Sequence, residues 1–199
     1  MTAGSGFSRG TAPGRGLLAM LLGLLLTAGC TQPEPGKSDE VAVLALSEAR
    51  AWQRRADLQL LDGDLAGAIG SVEEVTRQQF PAGMPEAEDI VLDAYQRLAK
   101  LHLSKGGEAA ETQALAVLAL GRKRATRDSF FLLHLESVAA DVYEARAQRL
   151  KTAGADKAAV DQAAREGIAA SERCIALAKK LQQALLLAAQ RESSTRGAK

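Results

Sequence analysis
The chain has one tryptophan and two tyrosines, and each stands eleven residues ahead of a glycine: Trp52 before Gly63, Tyr95 before Gly106 and Tyr143 before Gly154. Around them alanine and leucine dominate, β-branched and aromatic residues are scarce, and no stretch alternates apolar and polar as a half-buried strand does. This pattern restricts the fold to the all-α class. A glycine that ends a helix takes positive φ without steric cost. An aromatic three turns earlier then packs against the returning helix. One helical hairpin cannot bury its apolar face alone, so the three must stack.

The breaks in the pattern predict six helices, at about 39–61, 64–80, 86–104, 108–124, 129–152 and 157–191. Asp62-Gly63-Asp64 supplies a glycine stop and an aspartate N-cap. Pro81 ends the second helix, and Pro85 with Glu86 and Glu88 opens the third. Gly106-Gly107 closes the third, Asp128-Ser129 precedes the fifth, and Gly154-Ala155-Asp156 repeats the glycine-then-acid break. The sixth helix is too long for one hairpin arm, so Glu172 to Arg191 is expected to cap the last hairpin. The small and polar residues 192–199 form an expected frayed tail. The helical domain is thus expected over 39–191.

The first unit resembles a tetratricopeptide repeat. The residues that carry the resemblance are Ala49-Arg50-Ala51-Trp52, Ala56, Asp62-Gly63-Asp64-Leu65, Ala68-Ile69, Val72 and Val75. The second unit keeps Tyr95, Leu98, Ala99 and Gly106, with an insertion before Ala114, and the third keeps Tyr143, Ala147 and Gly154. Arg55 stands where the family prefers leucine, and the units recur after 43 and then 48 residues, longer than the family's ~34. The resemblance implies a short solenoid of antiparallel hairpins whose first helices line a concave groove. Matched position by position, the implied groove residues are Arg50, Gln53, Asp57 and Leu60, then Asp93, Gln96, Lys100 and Leu103, then Asp141, Glu144, Gln148 and Lys151. Such a mixed polar row with a few leucines suits a bound peptide or helix. A closed antiparallel bundle with the same turns, and no groove, is the alternative architecture.

The N-terminal segment has a different logic. Arg9 and Arg15 precede the apolar run Leu17–Leu26, and Leu26-Thr27-Ala28-Gly29-Cys30 follows. The uncharged stretch is shorter than the ~20 residues a spanning helix needs, and Pro33 and Pro35 come directly after it. This arrangement resembles the signal peptide and lipobox of a bacterial lipoprotein. The resemblance implies cleavage between Gly29 and Cys30, removal of residues 1–29, and acylation of Cys30 by lipid chains such as palmitate. Residues 30–38 then form a tether. An ordinary secretory signal is the alternative. Thr31 lacks the aspartate that retains enterobacterial lipoproteins at the inner membrane, so the expected location is the periplasmic face of the outer membrane. Known tetratricopeptide lipoproteins include pilotins and outer-membrane assembly partners, which implies an adaptor for an envelope protein. The alternative function is a structural envelope lipoprotein without a peptide groove.

Composition limits the other readings. All 24 acids and 23 of the 25 Lys and Arg lie after Cys30, so this part is nearly neutral and has no general attraction to nucleic acid. The cluster Arg122-Lys123-Arg124 with Arg127 reads as a helix C-terminus whose cations complement the macrodipole. Cys174 has no cysteine partner once Cys30 is acylated, and it lies on the helical stripe Ala163, Gly167, Ala170, Cys174, Leu177, Leu181, Ala184 and Ala188, as a small buried hydrophobe. His102 reads as a core or groove-edge residue, and His134 has no ligand-forming neighbour at metal spacing. Helical carboxylates such as Glu73 and Glu74 read as a solvated face. No nucleophile elbow, glycine-rich phosphate loop or calcium loop is present. The expectation is therefore no enzyme, no metal, no cofactor and no small-molecule substrate.

Overall fold
The structure is a computed structural model and describes residues 37–197. The expected signal peptide, the Gly29–Cys30 cleavage site and most of the tether lie outside them. The chain divides into two units, residues 1–38 and 39–199, and the second carries the fold. It is all-α, with six helices and no strand among the described residues: α1 (Lys37–Leu61), α2 (Leu65–Arg77), α3 (Pro85–Leu103), α4 (Gly107–Arg124), α5 (Phe130–Thr152) and α6 (Lys157–Gly197). No described helix is long and apolar enough to cross a membrane.

The turns follow the local chemistry of the sequence. Gly63, Gly106 and Gly154 take φ of +78°, +73° and +68°. At the first and third turns this reversal lets the next amides reach back over the helix end. Asp64 N–H donates to Gln59 O at 2.8 Å and Ala155 N–H to Leu150 O at 3.0 Å, which satisfies carbonyls the helix leaves open. The returning helices are capped by acids: Asp64 accepts from Gly67 N–H and Asp156 from Ala159 N–H, each at 2.8 Å. Ser129 does the same for α5, accepting from Leu132 N–H at 3.1 Å.

Each helix packs on its neighbours in chain order. The main contacts run α2–α3, α3–α4, α4–α5 and α5–α6, with α3 also touching α5. Two apolar cores result. One joins Ala49 and Ala56 of α1 to Ile69, Val72 and Val75 of α2 and to Ala94, Leu98 and Leu101 of α3. The other joins Leu92, Tyr95 and Ala99 of α3 to Ala114 and Leu118 of α4, Leu135, Val138 and Val142 of α5, and Ala170 of α6. Helix α3 therefore serves both cores. Close approach depends on small residues opposite the aromatics. A Cβ added at Gly121 of α4 would lie 3.0 Å from Tyr95 Cβ and 2.4 Å from Leu135, and one at Gly167 of α6 would lie 3.4 Å from Tyr143 Cβ.

Two buried carboxylates tie the second core together. Glu136 of α5 accepts from Arg122 Nε at 2.5 Å and Nη2 at 2.9 Å, and from Arg173 Nε of α6 at 2.9 Å. Glu111 of α4 accepts two bonds from Arg149 of α5, at 2.8 and 2.9 Å. Bidentate pairs of this kind fix geometry as well as contributing energy.

Two helices and one side chain differ from expectation. Helix α2 stops at Arg77 because Gln78 turns extended, and the side-chain Nε2 of Gln78 donates to Ala45 O of α1 at 2.8 Å. Helix α6 continues to Gly197, beyond Arg191. Its inward stripe is buried or half-buried only as far as Leu181, after which Ala184 and Ala188 are exposed. Cys174 is a free thiol and only half-buried.

Candidate functional site
Helices α1, α3 and α5 are the first arms of the three hairpins, and all twelve expected groove residues lie on them. The structure brings two subsets together. Between α1 and α3, Gln53 Nε2 donates to Asp93 Oδ2 across 3.4 Å, Arg97 donates to Gln53 O at 3.4 Å, and Arg97 pairs with Asp57 at 2.5 Å. These side chains hold one hairpin on the next, so Gln53, Asp57 and Asp93 are already engaged. Arg97, which the sequence reading omits, is the centre of this contact. An i, i+4 comparison of α3 would find it beside Asp93.

Between α3 and α5 the arrangement is open. Gln96 and Lys100 of α3 and Asp141 of α5 line a pocket of about 140 Å³ together with His134, Ser137 and Val138. Gln96 Oε1 is buried there without a hydrogen-bond donor. Lys100 and Asp141 are exposed, and neither has an ion-pair partner among the described residues. His134, Ser137 and Asp141 fall at i, i+3 and i+7 on α5, a single helical face. In the sequence His134 stands between leucines, and its place on that face follows only from the helical spacing to Ser137 and Asp141.

The remaining expected residues do not join this pocket. Arg50, Gln148 and Lys151 are exposed, Leu60 is 37% exposed and Leu103 is half-buried. Glu144 borders a separate cleft of about 420 Å³ between α5 and α6, walled by Ala147, Ala163, Gly167, Ile168 and Ile175. A larger cleft of about 540 Å³ lies at the α2–α3 connection, lined by Arg77, Gln78, Phe80, Glu88, Val91 and Arg124 among others. Its charged groups are largely committed. Arg77 pairs with Glu73 and Glu74, and Glu88 accepts from the backbone and the hydroxyl of Thr126. Burial pushes the Glu88 carboxyl up, but the Thr126 bonds and Arg127 outweigh it and hold its pKa below the usual value.

Of the basic cluster at the end of α4, Arg122 pairs with Glu136 and Arg127 with Asp89 at 2.7 Å. His102 is buried in α3, and its Nδ1 has no hydrogen-bond partner. Burial, then Lys105, lower its pKa, against a smaller opposing pull from Glu73. Among the described residues, no group of three or more His, Cys, Asp or Glu is placed to hold a metal ion. Comparison of the chain with protein-family models, with curated proteins and with solved structures finds no match.

Proposed function
We propose that the chain is a bacterial lipoprotein, anchored in the envelope through acylated Cys30, whose helical hairpins hold a protein partner along the row α1, α3 and α5. The pocket between α3 and α5 carries this reading. It offers an unsatisfied acceptor in Gln96 Oε1 and two unpaired charges of opposite sign in Lys100 and Asp141. A buried acceptor without a donor is costly in a free protein and favourable once a partner supplies one. Opposite charges lining one pocket suit a dipolar group, such as a peptide backbone segment, better than a single ion. The tetratricopeptide-like spacing of the first unit supports the same face as the docking surface.

The groove is shorter than the sequence row suggests, because its α1–α3 part is filled by the Arg97 contacts. That closure also favours the second reading, a structural envelope lipoprotein. The test is partner capture from envelope extracts with the full chain. Replacing Gln96, Lys100 and Asp141 together by alanine is expected to remove the partner while leaving the fold intact. Retention of an unchanged partner set would reject the groove. Cys30→Ser is expected to abolish palmitate labelling and release a folded protein from the membrane; labelling that survives the change would reject the anchor.

A further inference from the structure
The outward face of α1 carries a line of exposed apolar residues where the end of a helical stack is ordinarily polar. Its inward face, Ala45, Ala49, Trp52 and Ala56, packs on α2 and α3. On the opposite side Leu44 and Leu58 are 68% and 62% exposed, with Ala51 midway between them. Steps of seven residues keep these three nearly in line along the helix. Val43 and Leu61 flank the line and are 61% and 83% exposed. Nothing among the described residues covers this strip.

We propose that the strip binds a second copy of this chain, α1 against α1 in antiparallel order, about a two-fold axis through Ala51. The pattern is self-complementary about that residue. Leu44 lies seven residues before Ala51 and Leu58 seven after it, so each leucine meets the other type on the partner. Ala51 meets the partner's Ala51, and the small side chain lets the two helices cross closely. A two-fold axis perpendicular to both helices keeps each flank of the seam on the same side in the partner. On one flank Glu48, three residues before Ala51, therefore faces the partner's Arg55, four after it. On the other, Val43 faces the partner's Leu61, and Arg54 faces the partner's Ser47. Opposite charges meet on the first flank and apolar side chains at the ends of the second, as an isologous interface requires. Glu48 also accepts from Gln78 Nε2 at 3.2 Å, and the Arg55 guanidinium lies 5.3 Å from the Trp52 ring centre, so pairing across the seam shares or replaces these contacts within the chain.

The strip runs about 30 Å along a helix about 10 Å wide, which is small beside a standard interface. The dimer is therefore weak and reversible, and a trapping experiment suits it. In the full chain, Ala51→Cys is expected to form a disulfide-linked dimer on mild oxidation at least about ten-fold faster than Ala109→Cys, an exposed position on α4. In the Ala51→Cys background, Glu48→Arg and Arg55→Glu should each slow trapping, and the two together should restore it. Restoration by the double change separates lost pairing from lost folding. Trapping of Ala51→Cys no faster than Ala109→Cys overturns the proposal. So does a double variant as slow as the singles.

Discussion

Removing the Glu136 carboxylate is the most informative single perturbation of the fold. Its side chain is 7% exposed, and its two partners, Arg122 and Arg173, are 31% and 48% exposed. Glu136→Ala leaves two guanidinium groups facing each other with three hydrogen bonds lost. Breaking a fully buried pair costs about 3–5 kcal/mol, but both arginines reach water, and screening reduces the penalty. The expected loss is about 2–4 kcal/mol, or about 6–12 °C in Tm for a domain of this size. Glu136→Gln keeps the shape and loses only the charge, so it should fall between wild type and alanine. The pH dependence gives an independent check. Burial pushes the Glu136 carboxyl up, yet the bonds and charges of Arg122 and Arg173 outweigh it and hold its pKa below the usual 4.5. A depressed folded pKa means that this stability is complete above the unfolded value. It is lost as pH falls through the folded one. Urea unfolding of the three proteins between pH 7 and pH 3 should therefore show a steeper acid loss in wild type than in Glu136→Gln. A Glu136→Ala protein within about 0.5 kcal/mol of wild type would refute the reasoning, because that is the change expected of an exposed surface site.

Other consequences can be checked alongside. Gly121→Ala should destabilise by about 1–3 kcal/mol, since its Cβ would meet Leu135 and Tyr95 in a filled core; a neutral result in thermal unfolding would mean that α4 shifts freely. Ser129→Ala removes the N-cap bond to Leu132 and should cost about 0.5–2 kcal/mol, read by the same unfolding experiment. His102 has a folded pKa below its usual 6.5, so its contribution is complete above that value and is lost as pH falls toward the folded pKa. An NMR titration should find its imidazole less than half protonated at pH 6.5, and a ring half protonated or more at that pH would contradict the burial argument.

Much of the fold is legible in short stretches of sequence. The Gly63 and Gly154 turns, the Asp64 and Asp156 caps and Pro85 at the head of α3 are local features, and the structure uses each where the sequence places it. The polar stitching is not local. Glu136 meets Arg122 fourteen positions earlier and Arg173 thirty-seven later, and Glu111 meets Arg149 thirty-eight later. A carboxylate read by itself on a helix looks solvated, and only the packing of three helices reveals that these two are buried. The same distance effect governs the candidate site. Gln96, Lys100 and Asp141 are placed together by the contact of α3 with α5. The neighbouring set Gln53, Asp57 and Asp93 is closed by Arg97, a residue one turn from the expected row. The outward α1 strip is likewise defined only by packing, because its exposure depends on which face α2 and α3 cover.

The order of helix contacts has a consequence for how the protein reaches its native state. The main contacts join helices adjacent along the chain or one apart. Loops of that length close quickly, and little chain entropy is lost before apolar contacts form. Folding rates rise as mean contact separation falls, and helical proteins of this kind complete folding in microseconds to milliseconds. Each hairpin can also begin to form as soon as its own two arms are present, without waiting for the distant end of the chain. A chain of this design spends little time with its alanine- and leucine-rich faces bare, which shortens the interval in which it can aggregate.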